Sequence, residues 1–315
     1  MPADLPGTNT FHSTEMFCAY EDSAGYSPLM VVASEDGRVL AKLLGVVHSY
    51  SRFFPPFPLK RCEVFGTGEY FDSEYSREEL FEQLLRRLTE EALRQAQFIE
   101  FRNIEAPLFG YRAFKANGYF AVHWLRVRNS LHSVQHAEDR FSSSRLREVK
   151  QGLKHGATAQ EVGSADEVKR FARMLRKVYK TKLKRFFPRN DFFRAIRQRL
   201  ASQGRCRIFT VCYNERIIGG SVCIYSGTDV YLWFSGGMYA LYPKQYPGVL
   251  AAWKAMNDAK QRGYRHFEFM DVGLPFQRHG YRRFVLRFGG NQVSTRRWFR
   301  IRARWLNGIF RKLYE

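Results

Sequence analysis

The chain of 315 residues exceeds one comfortable hydrophobic core, so one large domain or two of about 150 residues is expected, and its 45% apolar and 16% aromatic content excludes a disordered chain. A formal net charge of +21 sets up a positive field that points to a polyanionic partner: nucleic acid, an anionic membrane surface or a phosphorylated substrate. No run approaches the roughly 18 apolar residues that span a bilayer, and five scattered cysteines without a CxxC pair predict free thiols and no metal site.

The N-terminus, MPADLPGTNTFHSTEMF, lacks a basic start and a long apolar stretch, so it does not read as a signal peptide, and a cytoplasmic location is expected. In PLMVVASEDGRVLAKLLGVV (28–47), Asp36-Gly37 separates two β-rich runs, which predicts a hairpin. REELFEQLLRRLTEEALRQA (77–96) places Leu80, Leu84, Leu85, Leu88 and Leu93 close to helical spacing, with charge between them. It feeds AQFIEFRNIEAPLFGYRAFKANGY (96–119), a β-like run followed by a proline turn and an aromatic, basic segment. From Arg140 to Arg185 there are fourteen Lys/Arg against four Asp/Glu. Within this stretch Arg147, Lys150 and Lys154 fall three and four apart, so they share a helix face. Such a face can track the phosphates of an RNA acceptor stem or of a nucleotide-linked sugar peptide. KVYKTKLKRFFPRNDFF (177–193) adds Phe186 and Phe187, which either stack on bases or anchor a helix over 190–201.

The second half repeats the pattern. RIFTVCYNERIIGGSVCIYS (207–226) has Asn214-Glu215 at its turn, and TDVYLWFSGG (228–237) supplies another strand. YALYPKQYPGVL (239–250) leads into a helix over 248–263, opened by Pro247 and closed by Gly263. A glycine-rich turn there would expose N–H groups to a pyrophosphate, but Gly248 stands alone behind Pro243 and Pro247, which disfavours acetyl-CoA. Tyr242, Lys244 and Tyr246 either contact a larger donor or acceptor or form a plain loop. In YRHFEFMDVGLPFQRHGYRRFVLRFGG (264–290), Glu268 and Asp271 lie at the end of a predicted inner strand, where α/β sheets gather catalytic groups. Either accepts a proton from an attacking ammonium, or caps a turn or pairs with an arginine; His266 and His279 read as surface or packed residues. The alternation beyond predicts an edge strand with Arg283, Val285 and Arg287 on one face and Phe284, Leu286 and Phe288 on the other. Arg282, Arg283 and Arg287 either meet phosphate or an ester carbonyl through their two-donor forks, or simply form an exposed basic face. The tail, RRWFRIRARWLNGIFRKLYE (296–315), has seven basic residues and one acid, with Trp298, Ile301, Trp305, Ile309 and Leu313 three or four apart. It reads as an amphipathic helix that lies on an anionic bilayer or docks on the first domain.

The halves also align directly. Ile99 matches Phe267 at an offset of 267 − 99 = 168, which also pairs Arg94 with Arg262, Glu100 with Glu268, Phe101 with Phe269 and Pro107 with Pro275. A small insertion then brings Phe114-Lys115 onto Phe284-Val285. Each half reads hairpin, helix, strand, proline turn and aromatic-plus-basic segment. The expected fold class is therefore α/β with a mixed (α+β) sheet, in two similar domains, 1–135 and 136–315.

RFSSSRLREVKQGLKHGATAQEV (140–162), FEFMDVGLP (267–275) and GYRRFVLRFGG (280–290) give the chain a resemblance to the Fem-type aminoacyltransferases, a tandem duplication of the GNAT acyltransferase fold. The resemblance implies two GNAT-like domains around a shared groove, with most of the chemistry in the second. It implies transfer of an aminoacyl group from charged tRNA to an amine of a phosphorylated cell-wall precursor, with no cofactor besides that donor. A lipid-linked acceptor would make contact with the inner face of an anionic membrane sensible. Such a reaction needs orientation and oxyanion stabilisation but no covalent nucleophile, so the lack of a GxSxG or Cys/His signature is expected. The family often has a lysine directly after the aromatic of its terminal motif; Val285 stands there, the first copy keeps Lys115, and Arg287 lies two residues beyond. The candidate catalytic residues are thus Arg287, Asp271 and Arg283. The candidate substrate-binding residues are Arg147, Lys150, Lys154, Tyr242, Lys244, Tyr246 and Arg282. Two other readings stand beside this one: an acyl-CoA N-acyltransferase acting on a sugar or polysaccharide precursor, and a non-catalytic RNA- or membrane-binding protein on the same core.

Overall fold

The computed structural model describes residues 7–51, 59–71, 73–180 and 187–314; Phe186 and the rest of the basic run 181–186 lie outside them. The elements in chain order are α1 (Thr14–Glu21), β1 (Tyr26–Glu35), β2 (Arg38–Ser51), β3 (Leu59–Phe65), β4 (Glu69–Tyr70), α2 (Arg77–Gln95), β5 (Phe98–Arg102), α3 (Tyr111–Ala116) and β6 (Phe120–Ser130). They continue with α4 (Ser143–Lys154), β7 (Thr158–Glu161), α5 (Ala165–Lys180), α6 (Asn190–Leu200), β8 (Cys206–Tyr213), β9 (Arg216–Ser226) and β10 (Asp229–Gly237). The chain closes with α7 (Pro247–Gln261), β11 (His266–Phe269), α8 (Gly280–Leu286), β12 (Asn291–Ile301) and α9 (Arg304–Tyr314).

The chain forms two compact units, residues 1–124 with 294–315, and residues 125–293. This departs from the sequential halves 1–135 and 136–315. The tail returns to the first unit because β12 pairs antiparallel with β5, from Arg297 opposite Arg102 to Ile301 opposite Phe98. That ladder also corrects the reading of residues 296–315 as one helix: Trp298 is a fully buried strand residue stacked on Phe114 at 4.6 Å, and the helix starts only at Arg304.

In the first unit the sheet order is β1-β2-β3-β5-β12, with β3 and β5 parallel and the other neighbours antiparallel. In the second it is β8-β9-β10-β11-β6, with β10 and β11 parallel, plus β7 outside β8. Each parallel pair is joined by a helix, α2 or α7. Even the registers agree: Arg61 opposes Phe98 and Asp229 opposes His266, both shifted by 168. The repeat seen in the sequence is thus a repeated supersecondary unit.

Local chemistry explains the elements. The hairpin turns have left-handed backbones, Asp36 (φ 48°) with Gly37 (φ 77°), and Asn214 (φ 45°) with Glu215 (φ 60°), the conformation a tight two-residue hairpin needs. Ser76 and Glu79 form a reciprocal capping box on α2. That helix buries Leu80, Phe81, Leu84, Leu85, Leu88 and Ala92 against its sheet, each large side chain contributing about 1.5–3 kcal/mol. Pro247 occupies the first turn of α7, which buries Val249, Leu250, Ala252, Ala255, Met256 and Ala259 in the second core.

Residues 280–286 are helical, which corrects the expected edge strand. The apolar residues Tyr281, Phe284, Val285 and Phe288 recur at three and four, and that period outweighed the local alternation. Val285 and Phe288 are buried in the core, while the His279 side chain caps the helix by accepting from the Arg282 N–H at 3.3 Å.

Candidate active site

The second unit has an open seam in its sheet. The parallel ladder of β10 with β11 ends at Leu232 and Phe269. β10 runs on to Gly237, paired with β9 along the way, so beyond Leu232 its other edge has no ladder partner among the described residues. A strand edge without a ladder partner can pair with a substrate of amide character.

Three side chains converge on this seam. Tyr179, at the end of α5, donates its hydroxyl to the carbonyl of Ser235 at 3.2 Å. Tyr281, on the first turn of α8, is half-buried, and Asp271, two residues beyond β11, is exposed. Burial pushes the Tyr179 phenol up to about 12, with the Asp271 carboxylate adding to the shift. Tyr281 is raised well above the ordinary phenol range by burial first, then by Tyr179 and Asp271. Two phenols that hold their protons stand near a carboxylate that water can reach. Such a set can donate hydrogen bonds to a developing oxyanion and accept a proton from an amine.

The strand end abuts the start of α7. A Cβ on Gly237 would lie 2.4 Å from the Gly248 nitrogen, so only glycine allows that approach. Tyr246 caps α7 with a left-handed backbone (φ 45°, ψ 51°) and without a side-chain cap. β10 therefore meets the start of α7 backbone to backbone at Gly237.

Tyr242, Lys244 and Tyr246 precede this helix start, and Arg147, Lys150 and Lys154 lie on α4. Gly152 packs α4 so tightly that a Cβ there would sit 2.7 Å from the Gln245 carbonyl. Arg147, Lys150 and Lys154 are exposed on the far side of this helix, and Lys244 is exposed on the turn that it packs against. Tyr242 and Tyr246 are partly buried, Tyr242 edge-on to Tyr213 at 6.1 Å and Tyr246 beside Tyr239 at 6.2 Å.

The arginines of the terminal motif divide into different tasks. Arg283 is exposed on α8. Arg282 is buried and donates to the carbonyls of Pro275 (3.0 Å), Leu274 (2.7 Å) and Gln277. It fastens the loop that carries Phe276, 97% exposed, out into solvent. Arg287 caps α8 and is engaged by Ser144 at 3.2 Å and Glu148 at 2.7 Å. Glu148 also takes Arg145 at 2.5 Å. Arg145 is itself buried between Phe284 and Phe288, with its guanidinium 4.4 and 4.3 Å from the ring centres. Burial lowers the Arg145 pKa to about 10, with Glu148 opposing the shift. Arg287 therefore joins α8 to α4, and Val285 faces the core.

Glu268 is fully buried between Arg128 and Arg126, and burial raises its pKa against the pull of both arginines. His266 pairs with Asp229 at 2.8 Å at the start of β10, away from the seam. Sequence reasoning missed Tyr179, which looks like one more apolar position in a basic amphipathic helix. Tyr281 was within reach, because Gly110-Tyr111-Arg112 repeats as Gly280-Tyr281-Arg282.

Residues 143–278 match the family model of the acetyltransferase (GNAT) domain. No curated protein matches the sequence. Among solved structures, FemX has a TM-score of 0.65 at 14% identity, covering 98% of this chain and 95% of that one. The C-terminal domain assigned to a lysylphosphatidylglycerol synthetase from Agrobacterium fabrum gives 0.56 at 13% identity over 91% and 87% of the chains. A tandem GNAT protein from the clavulanic acid biosynthesis pathway gives 0.57 at 10% identity over 89% and 85%. These likenesses show the fold.

Proposed function

From the premise that this chain has the tandem GNAT fold of acyltransferases, we propose that its second unit transfers an aminoacyl group from a charged tRNA to an amine of a phosphorylated cell-wall precursor. The observation that carries this reading is the seam between β10 and β11, with Asp271, Tyr179 and Tyr281 at it, and α4 packed through Gly152 against the turn before α7 with its cationic face turned to solvent. An aminoacyl ester is already activated, so the site must orient the amine, take its proton and stabilise the oxyanion. Asp271 accepts the proton; a protonated Tyr281 donates a hydrogen bond to the oxyanion or to the departing ribose oxygen, while Tyr179, its hydroxyl held by the Ser235 carbonyl, fixes the strand edge. Arg147, Lys150, Lys154 and Lys244 hold the phosphates of the donor or acceptor, and Tyr242 and Tyr246 supply rings on which a base can stack. Arg283 is the exposed cation of the terminal motif, while Arg282 and Arg287 position its backbone. FemX and the synthetase domain support aminoacyl chemistry on this fold.

The match of residues 143–278 to an acetyltransferase domain favours a second reading, transfer from an acyl-CoA. Melting curves separate the two. A charged tRNA should raise the melting temperature and acetyl-CoA should not; the reverse result replaces the first reading with the second.

A further inference from the structure

Helix α9 uses its two faces differently. On one, Asn307 is buried, donates to the Gly118 carbonyl at 2.9 Å and accepts from the Ile301 N–H at 2.9 Å. Phe310 and Tyr314 on the same face stack with Phe120 at 5.7 and 5.8 Å. The helix is therefore docked within its own unit. The opposite face presents Trp305, Ile309 and Leu313, which are 72, 55 and 69% exposed. These residues recur every four positions and form one stripe along the helix.

Charge surrounds the stripe. Arg302, Arg304 and Lys312 are exposed beside it, and no acidic residue occurs between Thr295 and Tyr314. Arg304 and Arg311 both lie close enough to Arg300 to add to the burial that lowers its pKa. The cations are thus gathered at one end of this unit.

We propose that α9 is an interfacial docking helix that seats this chain on an anionic lipid bilayer. Trp305, Ile309 and Leu313 enter the headgroup–acyl boundary, and Arg302, Arg304 and Lys312 reach the lipid phosphates, with the methylene stem of Lys312 lying along the apolar layer. No helix among the described residues is long and apolar enough to cross a membrane, so the contact is peripheral. A nucleic acid could stack on Trp305 but would leave Ile309 and Leu313 in water. A second copy of the chain would bury on the order of several hundred Å² there, short of the roughly 1,200 Å² of a stable interface, and would set Arg304 and Lys312 against like charges. The bilayer satisfies both the apolar stripe and its cationic border. This inference stands independently of the transfer reaction proposed above.

The test is co-sedimentation of the full chain with vesicles of phosphatidylcholine alone or mixed with phosphatidylglycerol. The wild type should bind the anionic vesicles at least about tenfold more tightly, since each cation near such a surface contributes roughly fivefold. A double variant, Ile309→Glu with Leu313→Glu, should lose at least about tenfold in that affinity, and Arg304→Glu with Lys312→Glu should lose the anionic preference. All four positions are exposed, so unchanged circular dichroism and melting temperature will show that the variants fold. Failure of the wild type to sediment, or equal binding by the variant substituted at Ile309 and Leu313, overturns the proposal. So does a concentration-dependent dimer that the same two substitutions abolish while vesicles leave the protein in solution.

Discussion

The two units share a parallel strand pair with one register, a joining helix and a glutamate at the same place, yet the ends of the two pairs are treated in opposite ways. Asp271 in the second unit corresponds to Asn103 in the first (271 − 168 = 103). Asn103 is buried; its amide donates to the Ala106 carbonyl at 3.1 Å and its oxygen accepts from the Glu105 N–H at 2.9 Å. Asp271 is exposed beside two tyrosines. The loops are held differently too: Arg296 binds the Pro107 carbonyl at 2.7 Å, whereas Arg282 binds its counterpart at Pro275. The aligned Arg112 is exposed. The first unit closes its strand end with a buried asparagine, whereas the second places an exposed carboxylate there, which the proposed function assigns to the substrate.

The largest expected effect tests that contrast through activity. Asp271→Asn should slow transfer by about 10²–10⁴-fold if its carboxylate takes the amine proton. Asn103→Ala should leave the rate of the folded protein unchanged and lower stability by about 1–3 kcal/mol, by stranding buried partners. Single-turnover rates and denaturant melts of the two variants read both effects. Equal losses of rate would end the distinction.

The paired glutamates give the next effect. Glu100 is buried among Arg61 at 2.7 Å, Arg297 at 2.7 Å and Arg102 at 3.1 Å. Burial pushes its pKa up, but Arg102, Arg297 and Arg61 outweigh it and hold the carboxyl below its usual range. At Glu268 burial wins over two arginines, and the pKa rises. Glu100→Gln should therefore cost about 3–5 kcal/mol, as the loss of one partner from a buried ionic cluster does. Glu268→Gln should cost clearly less by urea denaturation.

Acid should act on the first unit through His12. Its Nδ1 lies 3.0 Å from the Leu44 amide nitrogen and its Nε2 3.1 Å from that of Gly68, and the single acceptor nitrogen of the neutral ring takes one of these two N–H groups. Burial, with the charge of Lys42 added, lowers its pKa from 6.5 to about 3. Between these values the unfolded chain takes a proton that the folded chain refuses, so stability falls as the pH drops, by about 1.4 kcal/mol per unit. From about pH 5.5 to about pH 4.5 the wild type should lose roughly that much more than His12→Gln in parallel denaturant melts. The loss is complete near the folded-state value.

The smallest effect compares the hairpins. Both turns need left-handed backbones, and Glu215 stands where the first has Gly37. Glu215→Gly should stabilise the chain by about 0.5–1 kcal/mol, and Gly37→Glu should do the reverse. Calorimetric melting temperatures suffice to show it.

Much of this architecture was legible because its signals are local. Asp36-Gly37, Ser76 with Glu79, Pro247 and Gly263 each announce a turn or a cap, and the shared offset exposed the duplication. Three features escaped for stated reasons. Residues 280–290 carry two periods at once, and the helical one won through packing of Val285 and Phe288. Trp298 continues the spacing of Trp305 and Ile309, although a strand pairing over nearly two hundred residues fixes its conformation. Tyr179 joins the candidate site through its contact with β10, about fifty-six positions away, which no local pattern encodes. Arg287 was legible as a cation of the terminal motif, but not its engagement with Glu148.

The central claim is that group transfer takes place at the seam of the second unit while the matching place in the first is filled. A non-transferable tRNA bearing a photoreactive aminoacyl amide, cross-linked to the full chain and mapped by peptide mass spectrometry, addresses it most directly. The account predicts label on the peptides carrying Tyr179, Asp271 or Tyr281, lost when Lys150 and Lys154 are both changed to Glu. Label centred on Asn103 and Tyr111, or none on the second unit, would contradict it.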